Sequence, residues 1–257
     1  MNEQNQSTLN RIQEVGALQN YKNKLPKELV IVNLGCSWNK DDAFNFIINN
    51  QNDIKEVHLI DAAPESIEKC KELYEKHVSP DFYKKIKLHQ IAIVTNPNID
   101  TVDFIFPHND TSSGFASTNP EMVLNHYISE IVNGPEEIKT MQKSIAEGKP
   151  IPYTQIALPC TTINNFLMDC NLRTIDRLYI DLEGLDGHVL LDLDLNHFNV
   201  PFIMYEHLHL DSYRNMREKG SVSEPLHEKL KKYNFNIYAY GPWNAIALNE
   251  RMDLSIL

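Results

Sequence analysis

Four groups of polar residues fall directly after runs of apolar, β-branched residues, where side chains can reach a ligand at the end of a parallel sheet. The first is Asn33-Leu34-Gly35-Cys36-Ser37-Trp38-Asn39. A glycine there lets the backbone approach a ligand closely, and the start of the next helix offers free N–H groups. The second is Asp61, about 26 residues beyond Gly35, placed either to accept hydrogen bonds from two ribose hydroxyls or to cap the following helix. The third, Asp181-Leu182-Glu183-Gly184, sets two carboxylates and a glycine at one strand end. The fourth is Glu206-His207-Leu208-His209-Leu210-Asp211. If that segment stays extended, His207, His209 and Asp211 share one side and Glu206 takes the other.

Carboxylates and imidazoles in such places suit proton abstraction from a hydroxyl, and Asp181, Glu183, Glu206 and His207 are the candidate bases. His207 is the natural base by its ordinary pKa, near ~6.5. No metal is expected; were a divalent ion bound, Asp181, His207 and His209 would be its ligands. The pair Asp192 and Asp194 reads as helix surface.

The elements that must hold these groups follow a strand–helix rhythm. A helix over 7–20, with Leu9, Ile12, Val15 and Leu18 on one stripe, is expected to cover one edge of the domain. Then come the strand ELVIVNLG, a helix around Phe44 to Ile48, the strand EVHLID, the helix PESIEKCKELYEKH and the strand IKLHQIAIV. The rhythm breaks from Thr101 to Leu158, with a possible strand TVDFIFP and two helices near 120–132 and 135–147. It returns with INNFLMDCNL, DRLYIDLEG, LDGHVLLDL, VPFIMYEH and SEPLHEKLKKY, and closes on the hairpin NFNIYAYGPWNAIALN. Continuous apolar strands alternating with amphipathic helices predict an α/β fold: a doubly wound, mostly parallel seven-stranded sheet with helices on both faces and an antiparallel C-terminal hairpin. Residues 1–257 are expected to form one domain carrying a helical insertion, or lid, at about 107–155.

Composition narrows the partners. A net charge of −11 opposes a nucleic-acid surface. Cys36, Cys70, Cys160 and Cys170 lack CxxC spacing and read as free thiols of a reducing compartment. No run of about 18 apolar residues is present, and the polar start resembles no signal peptide. A cytoplasmic protein without a membrane partner is expected.

The segment Thr162-Ile163-Asn164-Asn165, followed by Asp181-Leu182-Glu183-Gly184, Asp186 and Val189-Leu190, resembles the most recognisable stretch of the FkbM-type methyltransferases. VPFIMYE, WNAIAL and SSGFAST resemble further elements of that family in the same order. The resemblance implies an S-adenosylmethionine-dependent O-methyltransferase acting on a hydroxyl of a sugar or other polyhydroxylated molecule. It implies cofactor contacts at Gly35, Cys36, Ser37 and Asp61, with Gln90, Ile91 and Ala92 beside the adenine. Where the family has an acid facing the methionine amino group, this chain has Asn33; Asn39 stands for a glycine, and Asn164 and Asn165 for an acidic pair. The alternatives are a nucleotide-sugar-dependent transferase and a non-catalytic relative that keeps the fold as a binding scaffold.

The insertion is the expected acceptor side. His108, Asn109, Ser112 and Ser113 suit hydrogen bonds to hydroxyls, and Tyr127 suits stacking on a sugar face. The same segment could join copies into a homo-oligomer.

Overall fold

In a computed structural model the described residues are 28–36, 38–107, 153–207, 210 and 222–249. The expected helix over 7–20 and the two helices of the insertion lie outside them, as do Ser37, His108, Asn109, Ser112, Ser113, Tyr127 and His209.

A seven-stranded sheet forms the centre. Its strands are β1 (Leu29–Leu34), β2 (Ile54–Asp61), β3 (Ile86–Gln90), β7 (Arg177–Ile180), β8 (Phe202–Glu206), β9 (Phe235–Tyr240) and β10 (Asn244–Asn249), in the spatial order β3-β2-β1-β7-β8-β10-β9. The first five run parallel, and β10 is antiparallel to both neighbours, β8 and β9. The order grows outward from β1 in one direction and from β7 in the other. The β1/β7 seam is therefore the switch point at which such sheets bind ligands.

Alternation along each strand builds two cores, one per face. Val30, Val32 and Leu34 of β1, Leu178 and Ile180 of β7, and Ile203 and Tyr205 of β8 pack into one. They meet Phe166 and Leu167 of α4 (Ile163–Asp169), Val189 and Leu190 of α5 (Asp186–Asp192), and Leu226 and Leu230 of α6 (Ser223–Lys232). Leu29, Ile31, Tyr179, Phe202 and Met204 face the other way. They pack on Phe44 and Ile47 of α1 (Asp42–Asn49) and on Ile67, Cys70 and Tyr74 of α2 (Pro64–His77). A four-residue α3 (Pro80–Tyr83) adds Phe82 to this second core.

Two expectations need correction. The run IKLHQIAIV is not one strand. After Ile91 donates its N–H to the Asp61 carbonyl at 3.0 Å, the chain leaves the large sheet, and Ala92–Ile93 (β4) pairs instead with Tyr153–Thr161 (β6). With β5 (Thr101–Pro107) antiparallel to β6, this makes a second, three-stranded sheet. Residues 153–155, assigned from sequence to the helical insertion, begin β6. No helix among the described residues is long and apolar enough to cross a membrane.

Candidate active site

At the switch point the ends of β1 and β7 approach each other closely through their backbones. Gly35 ends β1 in left-handed geometry, with φ of 77°, and its N–H donates to the Ile60 carbonyl at 2.8 Å. Cys36 N–H donates to the same carbonyl at 3.0 Å, and Asp181 N–H donates to the Leu34 carbonyl at 2.9 Å. A Cβ at position 35 would lie 1.7 Å from the Asp181 carbonyl oxygen. The turn is thus a cradle that only glycine fits.

Around this seam the strand ends gather acids. A cavity of about 50 Å³ is lined by Asn33, Asp41, Asp42, Ala43, Tyr179, Ile180, Asp181, Met204 and Asn244. Asp41 caps α1, accepting from Phe44 N–H at 2.6 Å, and accepts a second hydrogen bond from the Asn33 side chain. Burial nevertheless pushes its carboxyl up to about 6, and Asp181 and Asp42 add to the rise. Asp181 itself is raised by burial, although the side chain keeps contact with solvent, which moderates the effect.

The loop after β7 turns through two left-handed residues, Glu183 (φ 50°) and Gly184 (φ 91°). For a non-glycine residue this geometry costs about 1–2 kcal/mol, strain of the kind that concentrates at functional sites. Burial, with Asp181, Glu206 and Asp186 nearby, pushes Glu183 up to about 9. At neutral pH it therefore holds its proton. Burial and Asp181 bring Glu206 to about 7. Asp186 is 1% exposed and ties the two loops together. Its carboxylate accepts from Leu182 N–H at 3.2 Å and from Glu206 N–H at 3.3 Å, and burial raises it well above the usual range.

Asp61 ends β2 beside this region. Its carboxylate accepts from the N–H groups of Ala62 and Ala63, the latter at 2.8 Å, just before α2. These N–H groups precede the helix, whose N-cap is Ala63 without a side-chain hydrogen bond. Asp61 thus braces the turn before α2 and is not the helix cap that the sequence suggested as one reading. A carboxylate has about four acceptor sites, so this turn leaves capacity for further donors. Burial raises Asp61 to about 6, with Asp181 contributing.

The expected contacts divide. Asn33 and Asp181 line the cavity, and Gly35 forms the turn behind it. Glu183 and Glu206 couple electrostatically to Asp181. The Cys36 thiol turns instead into the core under α1 and α2, 1% exposed, against Cys70, and burial raises its pKa. Gln90 ends β3 and is exposed, Ile91 is held by Asp61, and Ala92 is buried at the start of β4 with Ala62 and Ala63. His207 is placed by its N–H, which donates to the Trp243 carbonyl at 2.8 Å. Among the described residues, Asp181 and His207 belong to no group of three donors close enough to share an ion.

Asp41, Asp42 and Asn244 are cavity residues that sequence reasoning missed. Asp41 and Asp42 carry the ordinary signal of a helix start, and Asn244 opens a hairpin strand. At the rim, Tyr240 Oη donates to Asp42 Oδ1 at 3.2 Å, and the Tyr240 and Trp243 rings are exposed.

Comparison with known proteins gives the same family that the Asp-Leu-Glu-Gly stretch resembles. Methyltransferase FkbM from Methylobacillus flagellatus KT is 10% identical with a TM-score of 0.44, covering 86% of this chain and 43% of that one. This chain thus spans less than half the length of that protein. A methyltransferase from Geobacter sulfurreducens is 13% identical at a TM-score of 0.38, covering 90% and 74%. The methyltransferase domain of bacterial CtHen1-CN is 9% identical at 0.38, covering 94% and 98%. No curated protein matches. The methyltransferase FkbM domain model matches residues 14–237, most of the chain, and the protein belongs to that family.

Proposed function

We propose that the protein transfers a methyl group from S-adenosylmethionine to a hydroxyl of a sugar or similar polyhydroxylated acceptor. The observation that carries this reading is the convergence of Asp41, Asp61, Asp181, Glu183 and Glu206 on the β1/β7 switch point, each with its proton affinity raised. Among the described residues no lysine or arginine offsets these acids, and such a cleft favours a cationic ligand. When bound, S-adenosylmethionine supplies an activated methyl on a positively charged sulfur. The Gly35 turn would let its backbone-facing edge approach, Asp61 would take the ribose hydroxyls, and Asn33 with Asp41 would face the methionine amino group. A nucleotide diphosphate would instead add negative charge beside these carboxylates, which counts against the nucleotide-sugar reading.

Methyl transfer asks the protein to align acceptor oxygen and methyl carbon and to remove the hydroxyl proton. Glu206 is suited to the second task because its proton affinity sits near neutral pH, where a base is most effective. Protonated Glu183 serves as a hydrogen-bond donor rather than a base. Exposed Tyr240 and Trp243, beside cavity residues Asp42 and Asn244, offer faces on which a sugar ring can stack. Charge near Glu206 also separates this reading from that of a silent scaffold, which has no need of a base poised at neutrality.

Calorimetric titration with S-adenosylmethionine, followed by incubation of the isotopically methyl-labelled cofactor with a panel of glycosides and polyols, tests the proposal. Saturable binding and mass gain on a hydroxyl are expected. Absence of binding by the full chain overturns the cofactor assignment; binding without transfer to any hydroxyl overturns the acceptor class.

A further inference from the structure

Away from the cleft, on the α4 face of the sheet, two imidazoles and a thiol meet. His58 lies inside β2 and His89 inside β3, two residues apart in register and so on the same face, since His58 pairs with Lys87 and His89 with Ile60. His58 Nδ1 and His89 Nε2 are 3.1 Å apart, and the rings are parallel within 4° at 5.1 Å. Phe166 of α4 packs edge-on against both rings. Cys170, the C-cap of that helix, brings its sulfur close, so that one donor atom from each of the three residues lies within 4.8 Å of the others.

We propose that His58, His89 and Cys170 bind a borderline-soft divalent transition-metal ion, with Zn²⁺ the best match to two nitrogens and one sulfur. Tetrahedral zinc sets its donors about 3.3–3.6 Å apart, given bond lengths near ~2.0–2.1 Å to nitrogen and ~2.3 Å to sulfur. The two nitrogens, at 3.1 Å, need part by only a few tenths of an ångström to reach that spacing. The Cys170 sulfur, within 4.8 Å of both, has to close in on them as the ion binds.

The electrostatics agree. Burial, with Lys87 nearby, lowers His58, and burial with His58 lowers His89 to about 4, so both imidazoles are neutral and carry lone pairs. His58 Nε2 lies 3.5 Å from Glu56 Oε2, a carboxylate placed to hold that nitrogen protonated and leave Nδ1 as the ligand atom. Lys87, the cation that opposes an incoming ion, is paired with Glu56 at 2.5 Å. Burial raises Cys170, so the thiol is protonated without metal. Binding therefore releases one proton, from Cys170 to solvent, as the metal–sulfur bond forms. His89 meanwhile moves its proton from Nε2 to Nδ1, with no net change. A water completes the coordination. The bound ion would pin β2, which ends in Asp61, to β3 and to the end of α4.

Co²⁺ is the spectroscopic probe for this site, added to metal-stripped full-length protein. One equivalent should bind and give a thiolate-to-cobalt charge-transfer band, displaced by Zn²⁺. The band should vanish in Cys170→Ser, and affinity should fall at least tenfold in His89→Gln, with both variants keeping the parent's circular dichroism. Zn²⁺ should shield Cys170 from alkylation by iodoacetamide, read by mass spectrometry. At about a hundredfold excess over its Kd it should also raise the Tm by about 5–10 °C. A charge-transfer band that persists in Cys170→Ser, or Cys170 alkylated equally fast with and without Zn²⁺, overturns the assignment.

Discussion

Gly35 and Asp181 meet backbone to backbone across the β1/β7 seam: any Cβ at position 35 would fall 1.7 Å from the Asp181 carbonyl oxygen. Because the obstacle is main chain rather than a flexible side chain, nothing can yield without parting the two strands whose ends build the cavity. Gly35→Ala should therefore cost at least about 2 kcal/mol, or about 4–8 °C in Tm, and weaken cofactor binding at least tenfold. Gly241 supplies the control, having φ of 70° with no atom within 4 Å of its Cβ position. Gly241→Ala pays only for its backbone angle. Equal losses for the two variants, measured by thermal denaturation, would show that the close approach is unimportant.

Glu206 should give the reaction its acid limb. With a proton affinity near 7, it is mostly protonated below neutrality and ionised above. A base must be ionised, so kcat/KM should climb through about pH 7 and level off. A bound cation favours the carboxylate, so the limb in kcat should lie lower still. Glu206→Gln should reduce turnover by about 10²–10⁴-fold, with a loss of cofactor affinity of no more than about tenfold from the missing charge. A variant that keeps both rate and acid limb would transfer the role of base to His207 or Asp181.

Glu183 should make the ligand-free protein less stable as pH rises. Its native value is about 9 against an ordinary 4.5, so between these limits the folded state binds more protons than the unfolded one. Stability then falls with increasing pH across that window, and the contribution is fully present only below it. Asp41, Asp61 and Glu206 act in the same direction over narrower ranges, up to about 6, 6 and 7. Glu183→Gln removes this proton linkage, and at about pH 8.5 it should raise the Tm by about 2–4 °C, with no change near pH 4.5. Denaturation scans at the two pH values check this, and equal shifts at both would contradict the linkage.

The strand-end acids were legible because long apolar runs announce a parallel sheet, and such sheets place ligands at their carboxyl ends. Asp61, Asp181 and Glu206 each close such a run. The second sheet was not legible. IKLHQIAIV has no break in its pattern at Ile91, and Pro159 interrupts the alternation of β6. Asp41 and Asn244 escaped for another reason: each looks local, a helix cap and a hairpin residue, and only topology brings them to Asn33 and Asp181. Cys36 shows the converse, a residue next to the right glycine whose side chain faces the core. The His58, His89 and Cys170 cluster is likewise a product of register between β2 and β3, with a helix end laid across them.

Asp61 offers the sharpest test of the cofactor assignment, because ribose binding and its hold on the turn before α2 require different atoms. The turn needs only an acceptor for the Ala62 and Ala63 N–H groups, which an amide oxygen supplies for Ala63. Ribose recognition draws on the charge and on the remaining acceptor sites, which an amide lacks. Asp61→Asn should therefore keep α2 anchored and hold the Tm within about 2 °C of the parent. Relief of a buried charge, one raised to about 6 in the native protein, offsets the weaker turn above that pH. Affinity for S-adenosylmethionine should fall by about tenfold to hundredfold, the loss of about 1.5–3 kcal/mol expected for hydrogen bonds to a charged group. Calorimetry on the folded variant measures both quantities. An unchanged Kd would leave Asp61 a brace for the turn alone and move the ribose site elsewhere.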